Sequence, residues 1–175
     1  MTGTSAPDLV GRPLPALSLA ATDGGTVDLS ALAGVVVVYA YPRTSPPDAP
    51  PLPGWDVIPG ARGCTPQSCA FRDHHAELRA AGASHVFGLS TQETAYQREA
   101  AERLHLPFPL LSDAGLRLAD ALDLPRFSAS GMVLLTRLTM IARDGVIRRL
   151  FYPVSDPAGN SGDVLAALRS DLFAE

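Results

Sequence analysis

The chain has 175 residues, 46% of them hydrophobic and 18% charged, with a net charge of −4. No apolar run approaches the ~20 residues that a membrane span needs, and no basic stripe or tail supports nucleic-acid binding. All 14 basic residues are Arg, so lysine Schiff-base chemistry, the lysine-dependent phosphate loop and the kinase strand lysine are excluded.

This length predicts one domain, residues 1–175. The opening MTGTSAPDLV has neither a basic start nor an apolar segment, so the cytoplasm is the expected location. In that compartment two cysteines point to reactivity or metal binding before a permanent staple.

Residues 1–13 read as a loose leader. Leu14–Ala20 and Thr26–Leu29 flank Asp23-Gly24-Gly25, which predicts a hairpin. Ser30 is placed as the N-cap of a short helical turn ending at Gly34. Val35–Tyr41 is apolar on both faces and predicts a central strand covered on both sides. Residues 42–63 carry seven prolines, which exclude regular structure there. Thr65-Pro66 predicts the opening of a helix that runs to Gly82. His85–Ser90 reads as a buried strand and Thr91–Leu104 as an amphipathic helix. Phe108–Leu111 is short and extended, and Ala114–Leu122 is a short helix. Met132–Ala142 and Val146–Tyr152 flank Arg143-Asp144-Gly145 as a hairpin, which puts Arg126 and Arg143 in turns. Asp163–Phe173 closes the chain as a helix. Strands alternating with helices, bracketed by hairpins, predict an α/β fold: a three-layer α/β/α sandwich with a mixed central sheet and an N-terminal β-hairpin.

The cysteines stand at 64 and 69. Cys64 falls at the predicted helix start, where free N–H groups and the helix dipole favour a thiolate, with Arg62 and Arg72 near in sequence. That position makes it a candidate nucleophile. Five residues along an ideal helix separate Cα atoms by ~8–9 Å, and a disulfide needs less than ~7 Å. The pair therefore bridges only if the helix unwinds. Two other readings of the pair stay open from spacing alone. One is buried small hydrophobes. The other is a zinc site with His74 and His75, although Cys-x4-Cys-x4-His-His is not a common structural spacing.

The segment Cys64-Thr-Pro-Gln-Ser-Cys69-Ala-Phe-Arg-Asp73 resembles the peroxidatic segment of the peroxiredoxins, most closely the Q-type, or bacterioferritin-comigratory, branch. Three further segments agree in order: VVVVYAYP at 35–42, LPFPLLSD at 106–113, and RLTMIARDG at 137–145. The resemblance implies a thioredoxin-like fold and a thiol peroxidase needing no metal or other cofactor. In that reading Cys64 attacks a hydroperoxide and Cys69 resolves the sulfenic acid as an intramolecular disulfide. Thioredoxin or a similar dithiol reduces it, and Arg137 polarises the peroxide. The expected partners are the hydroperoxide and the dithiol, without nucleic acid or membrane, and the expected state is a monomer or weak dimer. The alternative is a non-enzymatic redox sensor or chaperone-like protein of the same fold.

The 137–145 segment is one residue shorter before its Gly than the family strand and has Ala142 in the Ile place, and the chain departs from the family pattern more strongly in the active loop. The family carries Thr or Ser three residues before the peroxidatic cysteine, and here that residue is Ala61. Pro42 lies 22 residues before Cys64, against seven in the pattern, so roughly 15 residues are inserted, at about 43–63. With Pro42 as the family proline, Thr44 or Ser45 returns to supply the missing hydroxyl unless it is lost, and Thr44 is the candidate chosen to position substrate. The insert also brings Trp55 and Arg62 to the site mouth. His74 and His75 read as a solvated helix face, and His85 and His105 as element-boundary residues.

Overall fold

Six consecutive residues, Val35–Ala40, are buried on both faces, and they form the strand around which the molecule is organised. In this computed structural model, which describes residues 7–45, 49–50, 52–55, 58 and 61–170, the elements in chain order are as follows. Strands β1 (Ser18–Ala21) and β2 (Thr26–Asp28) form the first hairpin, and β3 (Val35–Ala40) follows. Helices α1 (Cys64–Asp73) and α2 (His75–Ala80) lead to β4 (Ala83–Ser90), α3 (Thr94–Arg103), β5 (Leu110–Ser112) and α4 (Arg117–Leu122). Then come β6 (Arg126–Ala129), β7 (Met132–Leu135), β8 (Leu138–Arg143), β9 (Val146–Phe151) and α5 (Asn160–Leu168).

The main sheet has the order β2-β1-β5-β4-β3-β8-β9. β3, β4 and β5 run parallel, while β1, β8 and β9 join antiparallel. Alternation along β3 sorts its side chains between two cores. Val36, Val38 and Ala40 pack with Leu118, Leu122 and Met140 on one face. Val37, Tyr39 and Tyr41 pack with Cys64, Phe71, Leu78 and Leu165 on the other. The predicted mixed sheet between helical layers is the observed one, and Cys64 lies on the second core's edge.

Several local expectations are corrected. The predicted strand Met132–Ala142 is two strands in two sheets. β7 pairs with β6 in a separate hairpin, with Arg126 opposite Leu135, so Arg126 sits in a strand and not a turn. β8 begins opposite Ala40, and Thr136-Arg137 bridges the two, the Thr136 N–H donating to the Pro125 carbonyl at 2.9 Å. The polar pair Thr136-Arg137 interrupts the apolar run at this break, but two polar residues between short apolar segments do not reveal a change of sheet.

The helix expected with Thr65 as N-cap and Pro66 as its first residue starts two residues earlier, at Cys64, and divides at His74. Gly63 is its N-cap, with φ 107°, and a Cβ there would meet Pro157 Cγ at 2.6 Å, so only glycine fits. His74 leaves helical geometry (φ −91°, ψ 1°), and its Nδ1 lies 2.7 Å from Ser161 Oγ in α5.

The early helical turn is a 3-10 turn, Leu29–Ala31, capped by Asp28 and not by Ser30. The short helix begins at Arg117 rather than Ala114. The last helix runs Asn160–Leu168, earlier than predicted, and residues 171–173 of that expectation lie outside the described residues.

The leader is partly docked. Leu9 and Leu14 are buried, and backbone bonds tie Gly11, Arg12 and Leu14 to the hairpin between β8 and β9. No described helix is long and apolar enough to cross a membrane.

Candidate active site

Cys64 is the first residue of α1 and is 5% exposed. Its Sγ lies 3.2 Å from Arg137 Nη2 and 3.8 Å from the Ala61 carbonyl. The helix start adds unpaired N–H groups and a positive dipole end on the same side. Arg137 comes from the β7–β8 junction and is 1% exposed. The same Nη2 also donates to the carbonyls of Arg62 (2.9 Å) and Ala61 (3.3 Å), and Nη1 donates to Gln67 Oε1 at 2.6 Å. A guanidinium fork held at this many points cannot rotate away from the sulfur.

Gln67 lies one turn after Cys64 and is fully buried. Its Nε2 donates to Asn160 Oδ1 at 3.1 Å, and that oxygen also accepts from Thr139 Oγ1 at 2.6 Å. The chain of contacts from Cys64 through Arg137, Gln67 and Asn160 to Thr139 thus ties α1, β8 and α5 together. Sequence reasoning did not single out Gln67, Asn160 or Thr139. A signal existed for Gln67: it shares a helical face with Cys64 and Phe71, and a polar residue on an inner stripe needs a buried partner.

Cys69 is half-buried, and both cysteines are free thiols. Arg72 neighbours Cys69 rather than Cys64. It bonds Asp73 (3.0 Å) and the Leu104 carbonyl (2.8 Å). The Asp73 bond first, and then the nearby Cys69 sulfur, raise its pKa above the ordinary value. Between the cysteines, Ser68 accepts from the buried Tyr39 hydroxyl at 2.9 Å. Burial is the main cause that raises the Tyr39 pKa well above the usual phenol value, which keeps that hydroxyl a donor.

Thr44 is 5% exposed and is clamped by Gln92. Its N–H donates to Gln92 Oε1 at 2.9 Å, its carbonyl accepts from Gln92 Nε2 at 2.8 Å, and its Oγ1 lies 3.5 Å from Oε1. A cavity of about 260 Å³ joins Thr44 to Cys64, with Arg43, Trp55, Arg62 and Pro66 in its lining. Pro42 is buried beside this segment. Of the insert, residues 46–48, 51, 56–57 and 59–60 lie outside the described residues. A larger surface cleft between Thr22, Arg98 and Phe108 contains no cysteine.

His74 and His75 are less solvated than expected. His74 is engaged with Ser161, and the His75 ring lies 5.7 Å from that of Phe108. His85 lies inside β4 and stacks on Phe87, while His105 follows α3 at φ 53°. Among the described residues no group of three or more His, Cys, Asp or Glu side chains is placed to hold a metal.

Burial first, and then the Arg79 charge, lower the His75 pKa below its ordinary value. The unfolded chain therefore binds the proton first as pH falls. His75 thus contributes stability that is present above the ordinary histidine range and lost as pH drops toward the lowered folded value. Thermal melts should show a steeper fall in Tm between pH 7.5 and 5 for the wild type than for His75→Gln, and equal slopes would discount this account.

The Redoxin family model matches residues 2–168. The chain belongs to the redoxin family. This redoxin is 31% identical over 161 residues to "Peroxiredoxin Q, chloroplastic" of Oryza sativa subsp. japonica, an alignment covering 91% of this chain and 66% of the relative. The corresponding Populus jackii protein is 30% identical, with 91% and 68% covered. The chain thus spans about two thirds of the length of these curated relatives. Among solved structures, peroxiredoxin Q of Xanthomonas campestris superposes with a TM-score of 0.72 at 27% identity, covering 91% of this chain and 96% of that one. A bacterioferritin comigratory protein of the same species, studied for alkyl peroxide reduction, gives 0.74 at 27% identity, with 94% and 99% covered. The thioredoxin-like peroxiredoxin fold expected from the sequence is therefore the fold of this chain.

Proposed function

We propose that this redoxin is a thiol-dependent peroxidase that reduces hydrogen peroxide and organic hydroperoxides. Cys64 is the peroxidatic cysteine, Cys69 the resolving cysteine, and a thioredoxin-type dithiol the reductant. The observation that carries the reading is the buried guanidinium of Arg137 at 3.2 Å from Cys64 Sγ. It offers a fixed positive charge and several donors where negative charge develops on oxygen during O–O cleavage. The plant and bacterial peroxiredoxin Q relatives support the same assignment.

In this mechanism the Cys64 sulfur attacks the nearer peroxide oxygen. The O–O bond breaks, the distal oxygen leaves with a proton as water (from hydrogen peroxide) or alcohol (from an organic hydroperoxide), and Cys64 becomes a sulfenic acid. The Cys69 thiol then displaces water from that sulfur to form the disulfide. An external dithiol reduces it and is itself oxidised to a disulfide. Forming the link requires α1 to open, because intact helix geometry holds the two Cα atoms too far apart. Pro42 and Thr44 form the substrate-positioning edge, with Thr44 supplying the hydroxyl absent at Ala61. Gln92 supports that reading by fixing the Thr44 backbone at the cavity. We read residues 1–175 as one domain with the Pro-rich segment as its insertion, a monomer or weak dimer acting in the cytoplasm.

A thioredoxin-coupled peroxide assay tests these roles. Cys64→Ser should consume no peroxide above background. Cys69→Ser should react with one equivalent and then stall, with the oxygen on Cys64 found by mass spectrometry. Wild-type turnover by Cys64→Ser would overturn the reading. So would a wild type that oxidises once and stays oxidised with the reductant present, which is the behaviour of a sensor.

A further inference from the structure

We propose that the cavity beside Cys64 selects organic hydroperoxides that carry a carboxylate, and that Arg43 receives that carboxylate. This inference rests on the peroxidase reading above and names the substrate class for the same site.

Size is the first argument. The cavity of about 260 Å³ is several times the ≈30 Å³ that a water molecule occupies in the liquid. Hydrogen peroxide leaves most of it empty, so it has room for an organic substituent. The wall chemistry is the second. Trp55, from the inserted segment, packs toward Phe127 of β6 with ring centroids 6.3 Å apart, and Pro66 stands on the helix side. These are apolar surfaces suited to an alkyl or aryl group.

Charge is the third argument and the deciding one. The lining includes two arginines, Arg43 and Arg62, and among its described residues no Asp or Glu. Arg43 Nε is buried without a hydrogen-bond partner. Nη1 lies 4.0 Å from Met132 Sδ, a weak acceptor. Among the described residues Arg43 makes no ion pair. Arg43 is only half-buried and its guanidinium has no acidic partner among the described residues, so a carboxylate reaching its more open nitrogens gains a charge-assisted contact.

The group is also held in place. Gln92 bonds both the N–H and the carbonyl of Thr44, and Arg103 Nη2 donates to the Ser45 carbonyl at 3.1 Å. The backbone that presents Arg43 is therefore anchored from α3 and from the end of β4. The carboxylate takes no part in the redox step. It orients the substrate while the peroxide end meets Cys64 and Arg137.

The test compares cumene hydroperoxide, its para-carboxylate and the methyl ester of that acid, at one ionic strength, in full-length protein. For the wild type, kcat/KM for the carboxylate should exceed that for the ester about tenfold, and added salt should narrow the gap. In Arg43→Gln the ratio should fall to about one. In Arg43→Lys, which keeps the charge without the fork, it should fall to an intermediate value. The ratio is read within each protein, so a general change in activity or folding cancels. A wild type that reduces all three equally overturns this inference and leaves the peroxidase assignment standing. So does a preference that survives in Arg43→Gln. A wild type that reduces none of them, nor hydrogen peroxide, removes both readings together.

Discussion

Replacing Arg137 by Gln should lower kcat/KM for hydrogen peroxide by about 10²–10³-fold, the usual cost of removing one preorganised donor from a developing oxyanion. The reason is local. One guanidinium nitrogen reaches the Cys64 sulfur at 3.2 Å, while the same group spans two loop carbonyls and Gln67. Gln has neither the charge nor the fork, so it cannot serve the sulfur and the carbonyls together. Arg137→Lys keeps the charge and loses the fork, and an intermediate rate is expected from it. Stopped-flow oxidation of the reduced protein reads the effect on the first chemical step directly, and circular dichroism confirms that each variant is folded. An Arg137→Gln protein with wild-type kcat/KM would remove Arg137 from the mechanism.

The largest effect on stability is expected at Phe71. It is fully buried two turns after Cys64, and its ring stacks on Tyr39 at 4.5 Å with a 4° interplanar angle. Phe71→Ala should destabilise the fold by about 3–5 kcal/mol, the transfer loss plus an unfilled cavity between α1 and β3. Phe71→Leu keeps most of the volume and should cost less than about 1.5 kcal/mol. Urea denaturation of the reduced protein measures both. The site senses the change too, because Phe71 and the Tyr39–Ser68 bond help hold α1 on the sheet beside the Cys64–Cys69 interval. Disulfide formation after oxidation should therefore be faster in Phe71→Ala than in wild type. A slower or unchanged rate would mean that the helix opening is not limited by this packing.

The accuracy of the sequence reading tracks how local each signal is. β3 was legible because a short run rich in β-branched residues is apolar at every position, a pattern that a doubly covered strand satisfies most simply. The helix start at Cys64 was legible to within two residues from Thr65-Pro66, and Gly63 moved the boundary because only glycine fits beside Pro157. The β6–β7 hairpin was missed because Met132–Ala142 reads as one strand-forming segment with only Thr136-Arg137 to interrupt it. The break lies in partner choice: β7 pairs with β6 and β8 with β3. The division at His74 was missed for a similar reason, since its hydrogen-bond partner, Ser161, lies 87 residues away.

By itself the sequence determined the class of fold, the layered order of strands and helices, and the one cysteine at a helix start. Each of these follows from periodicity and capping, which act over a few residues. Tertiary structure decided the rest. It brought Arg137 across 73 residues to the Cys64 sulfur and put Gln67, Asn160 and Thr139 behind it. It also placed Arg72 at Cys69 and seated Arg43 in the cavity beside Cys64. The physical reason is that a buried guanidinium or amide must find its acceptors wherever the packed chain supplies them. The chain holds 14 arginines and no lysine, and composition cannot rank them. Burial and hydrogen bonding do.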